Sequence, residues 1–241
     1  MKIILNLAIG LLLPGMAAAQ SALPAGTVIP VTLVHGVTAR QARADQPIHA
    51  KVIQTIPGTE LKRGARVVGR VVSATSQPDG TERLEIRFHA VEVSGNEIPL
   101  RAALRALASF SEVQDAQIPE EQADSGTPLW FATTRQIGGE QVYRGGGPVA
   151  SGELIVGKPV SDGVLVKPRS NGRCSGALDG SDTPQAMWLF SSNACGVYGF
   201  ANLEIAELAE AQPPEAIVLA SSRGHLKLPA GTALLLRVGE P

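Results

Sequence analysis

The pentapeptide Leu-Pro-Ala-Gly-Thr occurs twice in this chain, at residues 23–27 and again at 228–232. Each copy is followed at once by an apolar alternation: Ile29, Val31 and Leu33 after the first, Leu234, Leu236 and Val238 after the second. A glycine at that place can take positive φ and turn the chain tightly. Period-two alternation then describes a strand with one buried face. The pentapeptide therefore reads as a turn that launches a buried strand. A degenerate third copy, Leu61-Lys62-Arg63-Gly64-Ala65-Arg66-Val67, keeps the same spacing. The irregular distances between copies argue against a solenoid.

The rest of the chain speaks the same language. The 26 glycines and 17 prolines punctuate short apolar runs, and aromatics are only 4%, which favours strands over helices. The clearest strand is Arg83 to Val93, where Leu84, Ile86, Phe88 and Ala90 share one face. The parity then slips to Val91 and Val93, predicting a bulge near Ala90-Val91. Ser94-Gly95-Asn96-Glu97 predicts a hairpin turn. Residues 47–56 show a similar slip, and bulged, bent strands with short turns suit a small barrel or tightly curled sandwich. Further hairpins are expected around Ser161-Asp162-Gly163 and between Ile217–Ala220 and Leu226–Leu228. Leu100, Ala103, Leu104 and Leu107 share a helical face, predicting a short helix. Residues 201–211 fit either helix or strand. The fold class expected is all-β: a small bulged barrel or sandwich, in one or two β subdomains, with one or two short helices.

Four segments follow. Lys2, the apolar run from Ile3 to Leu13, the Pro14-Gly15 break and Ala17-Ala18-Ala19 together predict a signal peptide over residues 1–19, cut before Gln20. Its apolar run is too short for a membrane span, and no later stretch is apolar enough to be one. Residues 20–110 read as a barrel-like β domain and 111–128, acidic and broken by proline, as an exposed linker or loop. Residues 129–241 read as a second β-rich region, with its last strand available to complete the first barrel. In an exported chain, the cysteines Cys174 and Cys195 most simply form one disulfide. Such a loop stabilises by roughly 3 kcal/mol in the chain-entropy treatment.

Charge excludes one class of partner. The 21 basic and 22 acidic residues nearly cancel, and the densest basic stretch, Lys62, Arg63, Arg66 and Arg70, fits a solvated strand face, so no nucleic-acid footprint is expected. Chemical motifs fare no better. Asp124-Ser125-Gly126-Thr127 matches an aspartic-protease signature, but it sits in acidic, polar sequence and lacks the second carboxylate that the chemistry needs. Gly172-Arg173-Cys174-Ser175-Gly176 has nucleophile-elbow spacing without the strand before and helix after. The histidines, His35, His49, His89 and His225, lack metal-ligand spacing, and His49 and His89 fall on polar strand faces. Gly145-Gly146-Gly147-Pro148 lacks the Lys-Ser/Thr of a phosphate loop. Trp130, Phe131 and Trp188 read as core rather than as a stacking platform.

Taken together, LPAGTVIPVTL, LKRGARVVGRVV, LEIRFHAVEV and the closing LPAGTALLLRV resemble the periplasmic barrel of TrbI-type conjugal-transfer proteins. The matching residues are Pro24, Gly26 and Thr27, then Gly64, Ala65, Gly69 and Arg70, then Leu84 to Val93. The resemblance implies a β-barrel-like fold in the cell envelope and a place in the channel ring of a secretion system. The function expected is an exported, non-enzymatic protein, periplasmic or extracellular, acting as a structural or interaction module of the envelope. Its partner would be an envelope protein or another copy of itself. A component of a transport or secretion channel is the second reading, and a secreted hydrolase using Cys174 or Asp124 the third. No cofactor, metal site or catalytic residue is expected.

Overall fold

The computed structural model describes residues 23–117, 119–120, 133–138, 141–143, 149–151, 154–160, 163–166, 185–191, 194–206 and 216–239. They form nineteen strands and one short helix, so the fold is all-β. The first half supplies β1 (Val28–Leu33), β2 (Val37–Thr38), β3 (Pro47–Val52), β4 (Arg66–Ser76), β5 (Glu82–Val93), β6 (Asn96–Pro99) and β7 (Ala102–Ala108). The helix α1 (Phe110–Gln117) follows, then β8 (Pro119–Glu120), β9 (Thr133–Arg135), β10 (Gln141–Tyr143), β11 (Val149–Ser151), β12 (Leu154–Val160), β13 (Gly163–Val166) and β14 (Gln185–Ala186). The chain ends with β15 (Gly196–Tyr198), β16 (Leu203–Ile205), β17 (Ile217–Ser221), β18 (Lys227–Leu228) and β19 (Ala233–Val238).

One sheet dominates. Its order is β15-β7-β19-β1-β3-β4-β5-β17-β16, with β6 added to β5. All its pairings are antiparallel except the parallel β15–β7 pair. The strands at the two ends of this order, β15 and β16, are consecutive in sequence and joined by residues 199–202 alone. A sheet that wide can have its edges joined by so short a link only if it curls on itself. No ladder hydrogen bonds pair β15 with β16, so the sheet is tightly curled but is not a closed barrel.

The repeated pentapeptides explain how the curl is held. Gly26 and Gly231 have φ of 82° and 81°, and Gly64 of the third copy has 87°. In each copy the residue after glycine donates its N–H three residues back: Thr27 to Pro24, Thr232 to Pro229, Ala65 to Lys62, the bond of a type II turn. The three glycine N–H groups then clasp the end of a neighbouring strand. Gly26 donates to the Val238 carbonyl, Gly231 to Leu33 and Gly64 to Val52, each at 2.8 Å. The clasps are returned, since Val238, Leu33 and Val52 donate to Thr27, Thr232 and Ala65. The turn before β1 thus closes the end of β19, and the turn before β19 closes the end of β1.

Burial divides the sheet into two regimes. β3 alternates exposed or half-buried with buried positions, as expected of a strand with one wet face. β7 is buried throughout, and β1 and β19 nearly so. Inside the curl, Ile29, Val31, Ile48, Val67, Val71, Leu84, Ile86, Phe88, Leu107, Leu234 and Leu236 belong to one packed cluster. A second cluster covers the outer face of β1, β7 and β19: Val28, Ala106, Ala108, Ala233 and Leu235 meet Val113, Ala116, Ile137, Val166, Met187, Leu189, Phe190 and Ala194. The segment between β7 and β15 therefore supplies a second layer, which gives the fold a sandwich-like section.

Several local expectations change. Residues 100–107 read as a helix, but the chain there is β7, because a strand buried on both faces shows no period-two pattern. β7 also carries a bulge. Leu235 and Leu236 oppose Ala106 and Leu104, leaving Arg105 unopposed. The inward set consequently switches from Ala102 and Leu104 to Leu107, imitating helical spacing in the sequence. Phe110–Gln117, mostly within the stretch read as an exposed acidic loop, is α1, and Val113 and Ala116 on its inner side are buried. The parity slip near Ala90-Val91 is a bulge at His89, since Val68 and Gly69 oppose Ala90 and Phe88. Ser94 and Gly95, at φ 52° and 84°, make the tight turn between β5 and β6. The hairpin expected between Ile217–Ala220 and Leu226–Leu228 does not form: β17 pairs with β5 and β16, and β18 pairs with β2. Of residues 201–211, which fit either helix or strand, Leu203–Ile205 form the strand β16, and 207–211 lie outside the described residues.

Candidate functional site

Two features at one end of the curled sheet bring polar groups together. The first is a buried carboxylate. Glu82 opens β5 and faces inward, having the parity of Leu84, Ile86 and Phe88. Its side chain is fully buried, which requires that the charge be bonded. Glu82 Oε2 accepts the Leu226 N–H at 2.7 Å. Its Oε1 accepts Arg40 Nε–H at 2.5 Å and the Ser76 hydroxyl at 3.3 Å. His225 Nδ1 lies 3.7 Å from Oε1, too far for a hydrogen bond.

Burial alone would raise the Glu82 pKa, but the Leu226 N–H and the Arg40 guanidinium outweigh it and hold the group below its ordinary value. A carboxylate so stabilised is a weak base, unlike a catalytic base tuned upward toward neutrality. Its work is structural. It fastens Arg40, just after β2, and Leu226, just before β18, to the end of β5. The Leu226 carbonyl in turn accepts the Ala39 N–H at 2.9 Å. The small β2–β18 sheet is thereby anchored to the large one.

The second feature is a depression of about 290 Å³ on the outer face beside Glu82. Cross-strand register builds its floor. Thr75 of β4 opposes Arg83 of β5, Arg83 opposes Ala220 of β17, and Ala220 opposes Glu204 of β16. The small side chain in the middle, Ala220, leaves the hollow. Arg83 and Glu204 are its cross-strand neighbours on either side, and Gln77 and Ser222 also line the hollow. Arg83 Nε–H donates to Glu85 Oε1 at 3.1 Å.

The residues singled out in the sequence do not converge on either feature. Asp124-Ser125-Gly126-Thr127, Gly172–Gly176 with Cys174, Gly145–Pro148, Trp130 and Phe131 lie outside the described residues. Cys195 is buried, and no free cysteine occurs among the described residues. Its N–H and carbonyl are both bonded to the Tyr198 hydroxyl at 3.0 Å. Trp188 is half-buried against the second cluster, and its N–H donates to Gln54 Oε1 at 2.8 Å. Buried Gln136 holds the same segment from the other side, donating to the Met187 and Trp188 carbonyls. His35 and His89 are exposed and His49 is half-buried; no cluster that could hold a metal occurs among the described residues. Among them, too, no helix is long and apolar enough to cross a membrane. Arg63, Lys62 and Arg70 are exposed, and Arg70 and Arg66 bridge Asp45 and Glu92 at 3.1 and 3.5 Å.

The sequence did hold a signal for Glu82: a charged residue in phase with the apolar face of β5. The Arg83–Ala220–Glu204 row had none, because only strand register brings it together. Comparison with protein-family models, curated proteins and solved structures finds no match to this chain.

Proposed function

We propose that this chain is an exported, non-enzymatic module of the cell envelope, periplasmic or extracellular, that acts by presenting loops and strand ends on a rigid β frame to an envelope protein or to another copy of itself. The observation that carries this reading is what the buried polar groups are used for. Glu82, Gln54 and Gln136 are each bonded to backbone groups of distant segments, and the three turns clasp neighbouring strand ends. These bonds immobilise a scaffold rather than prepare a reacting group. Export rests on Lys2, the apolar run to Leu13 and Ala17–Ala19. A Cys174–Cys195 disulfide accords with export and with the absence of a free thiol at Cys195.

A channel component is the second reading, favoured by one placement. The four segments that resemble the TrbI-type barrel make up, with β3, five adjacent strands, β19-β1-β3-β4-β5. The interior of the curl is filled with side chains, so a conduit would have to run between copies in a ring. Fractionation of cells producing the tagged chain, with mass spectrometry of the product, tests the first reading. The expected product begins at Gln20, carries no free thiol and leaves the cell interior. A full-length chain with two free thiols in the cytoplasm would overturn it.

A further inference from the structure

The side chains around the outer hollow divide into engaged and unengaged groups, and the unengaged ones define what it can hold. Arg83 is taken up by Glu85 at 3.1 Å. Glu82 is taken up by Arg40 and the Leu226 N–H. The Ser221 hydroxyl donates to the Arg223 carbonyl and the Thr81 hydroxyl to Asp79. Left over are the Thr75 and Ser222 hydroxyls, the Gln77 carboxamide and the Glu204 carboxylate, which bond no other group among the described residues. We propose that the hollow binds a hydroxylated ammonium ion of monosaccharide size, an amino sugar, with its ammonium at Glu204 and its hydroxyls on Thr75, Gln77 and Ser222.

Each part of the ligand answers a leftover group. Two hydroxyls and a carboxamide can each donate and accept, so they match a molecule with several hydroxyls. Glu204 carries the lining's one charge with no ion-pair partner among the described residues, so it selects a cation. A hydrogen bond from an ammonium to a carboxylate is about twice as strong as a neutral one. An anion finds no such group, because Glu85 already holds the Arg83 guanidinium. Ala220, the sole apolar side chain of the lining, offers a methyl against which the C–H face of a sugar ring can lie. Size sets the limit. At about 290 Å³ the hollow stands at the lower end of ligand sites, roughly 300–1,000 Å³, which suits one sugar unit rather than a chain of them.

The test is NMR titration of the folded chain with glucosamine, glucose and methylamine, in buffer acidic enough to keep both amines protonated. Glucosamine is expected to shift the amides of Thr75, Glu204 and Ala220 saturably. It should bind about fivefold or more tightly than glucose, which lacks the charge, and than methylamine, which lacks the hydroxyls. Glu204→Gln should remove the preference over glucose, and Ala220→Phe should abolish binding of both sugars. The remaining spectrum should stay unchanged in each variant, because Glu204 is exposed and Ala220 lies on the outer face. Three results would overturn the assignment: no saturable shift with glucosamine, binding of glucose or methylamine as tight as that of glucosamine, or a preference for glucosamine that survives Glu204→Gln.

Discussion

Replacing Glu82 separates a structural carboxylate from an incidental one. Glu82→Ala deletes the acceptor of the Leu226 N–H, a bond of 2.7 Å at a fully buried site. A buried donor left unpaired costs about 1–3 kcal/mol. Arg40 is about half exposed at 47%, so loss of its ion pair adds at most about 1 kcal/mol. The Ser76 bond, at 3.3 Å, is long and adds little. The expected loss is about 2–4 kcal/mol for Glu82→Ala. It is about 1–2 kcal/mol for Glu82→Gln, whose amide oxygen can still accept one of these bonds. For a chain of this size each kcal/mol lowers Tm by roughly 2–4 °C. Acid adds a second signature. The folded-state pKa of Glu82 lies below its unfolded value, so its stabilisation is present above the ordinary glutamate range and is lost as pH falls through the depressed folded value. Urea unfolding over a pH series from neutral into acid is the assay, and the gap between wild type and Glu82→Gln should narrow steadily as pH falls below the ordinary glutamate range. Wild-type stability in Glu82→Gln at neutral pH, or a gap that does not depend on pH, would refute the reasoning.

Two glycines should behave differently. Gly64→Ala meets open space and costs only the left-handed backbone, about 1 kcal/mol. Gly69→Ala would put Cβ 2.5 Å from the Arg87 carbonyl oxygen inside the β4–β5 ladder and should cost about 2–3 kcal/mol; equal urea midpoints for the two would contradict the β4–β5 register. Leu107→Ala, at a fully buried position of β7, should lose about 2–5 kcal/mol without change in the denaturant m value. Cys195→Ser should lower Tm by an amount matching about 3 kcal/mol, and wild type under reducing conditions should lose the same.

How much of this could be read beforehand follows from what each strand touches. β3 and the first part of β5 each meet one core and one wet face, so their alternation is visible in the letters. β7 meets two cores, and its Arg105 bulge shifts the inward set by one residue; both effects erase the period-two signal. The pentapeptide was legible as a turn because glycine after a short polar or proline step has few other uses. That each copy closes a strand belonging to another copy's neighbourhood was not legible, since it depends on which strands lie side by side. The polar features divide the same way. Glu82 betrayed itself by sitting in phase with Leu84 and Ile86. The row of Thr75, Arg83, Ala220 and Glu204 joins residues up to 145 positions apart through strand register, and nothing local marks any of them.

If this frame works by engaging other envelope proteins or copies of itself, those contacts should be capturable where the protein resides. Crosslinking the tagged mature chain in its native envelope, with mass-spectrometric identification of what is captured, is the most direct test. One recurrent species is predicted, either a defined envelope protein or a ladder of the chain's own multiples, and a ladder together with secretion machinery would favour the ring reading. Recovery of the uncrosslinked monomer alone, with no partner above the background of an unrelated exported protein, would contradict it.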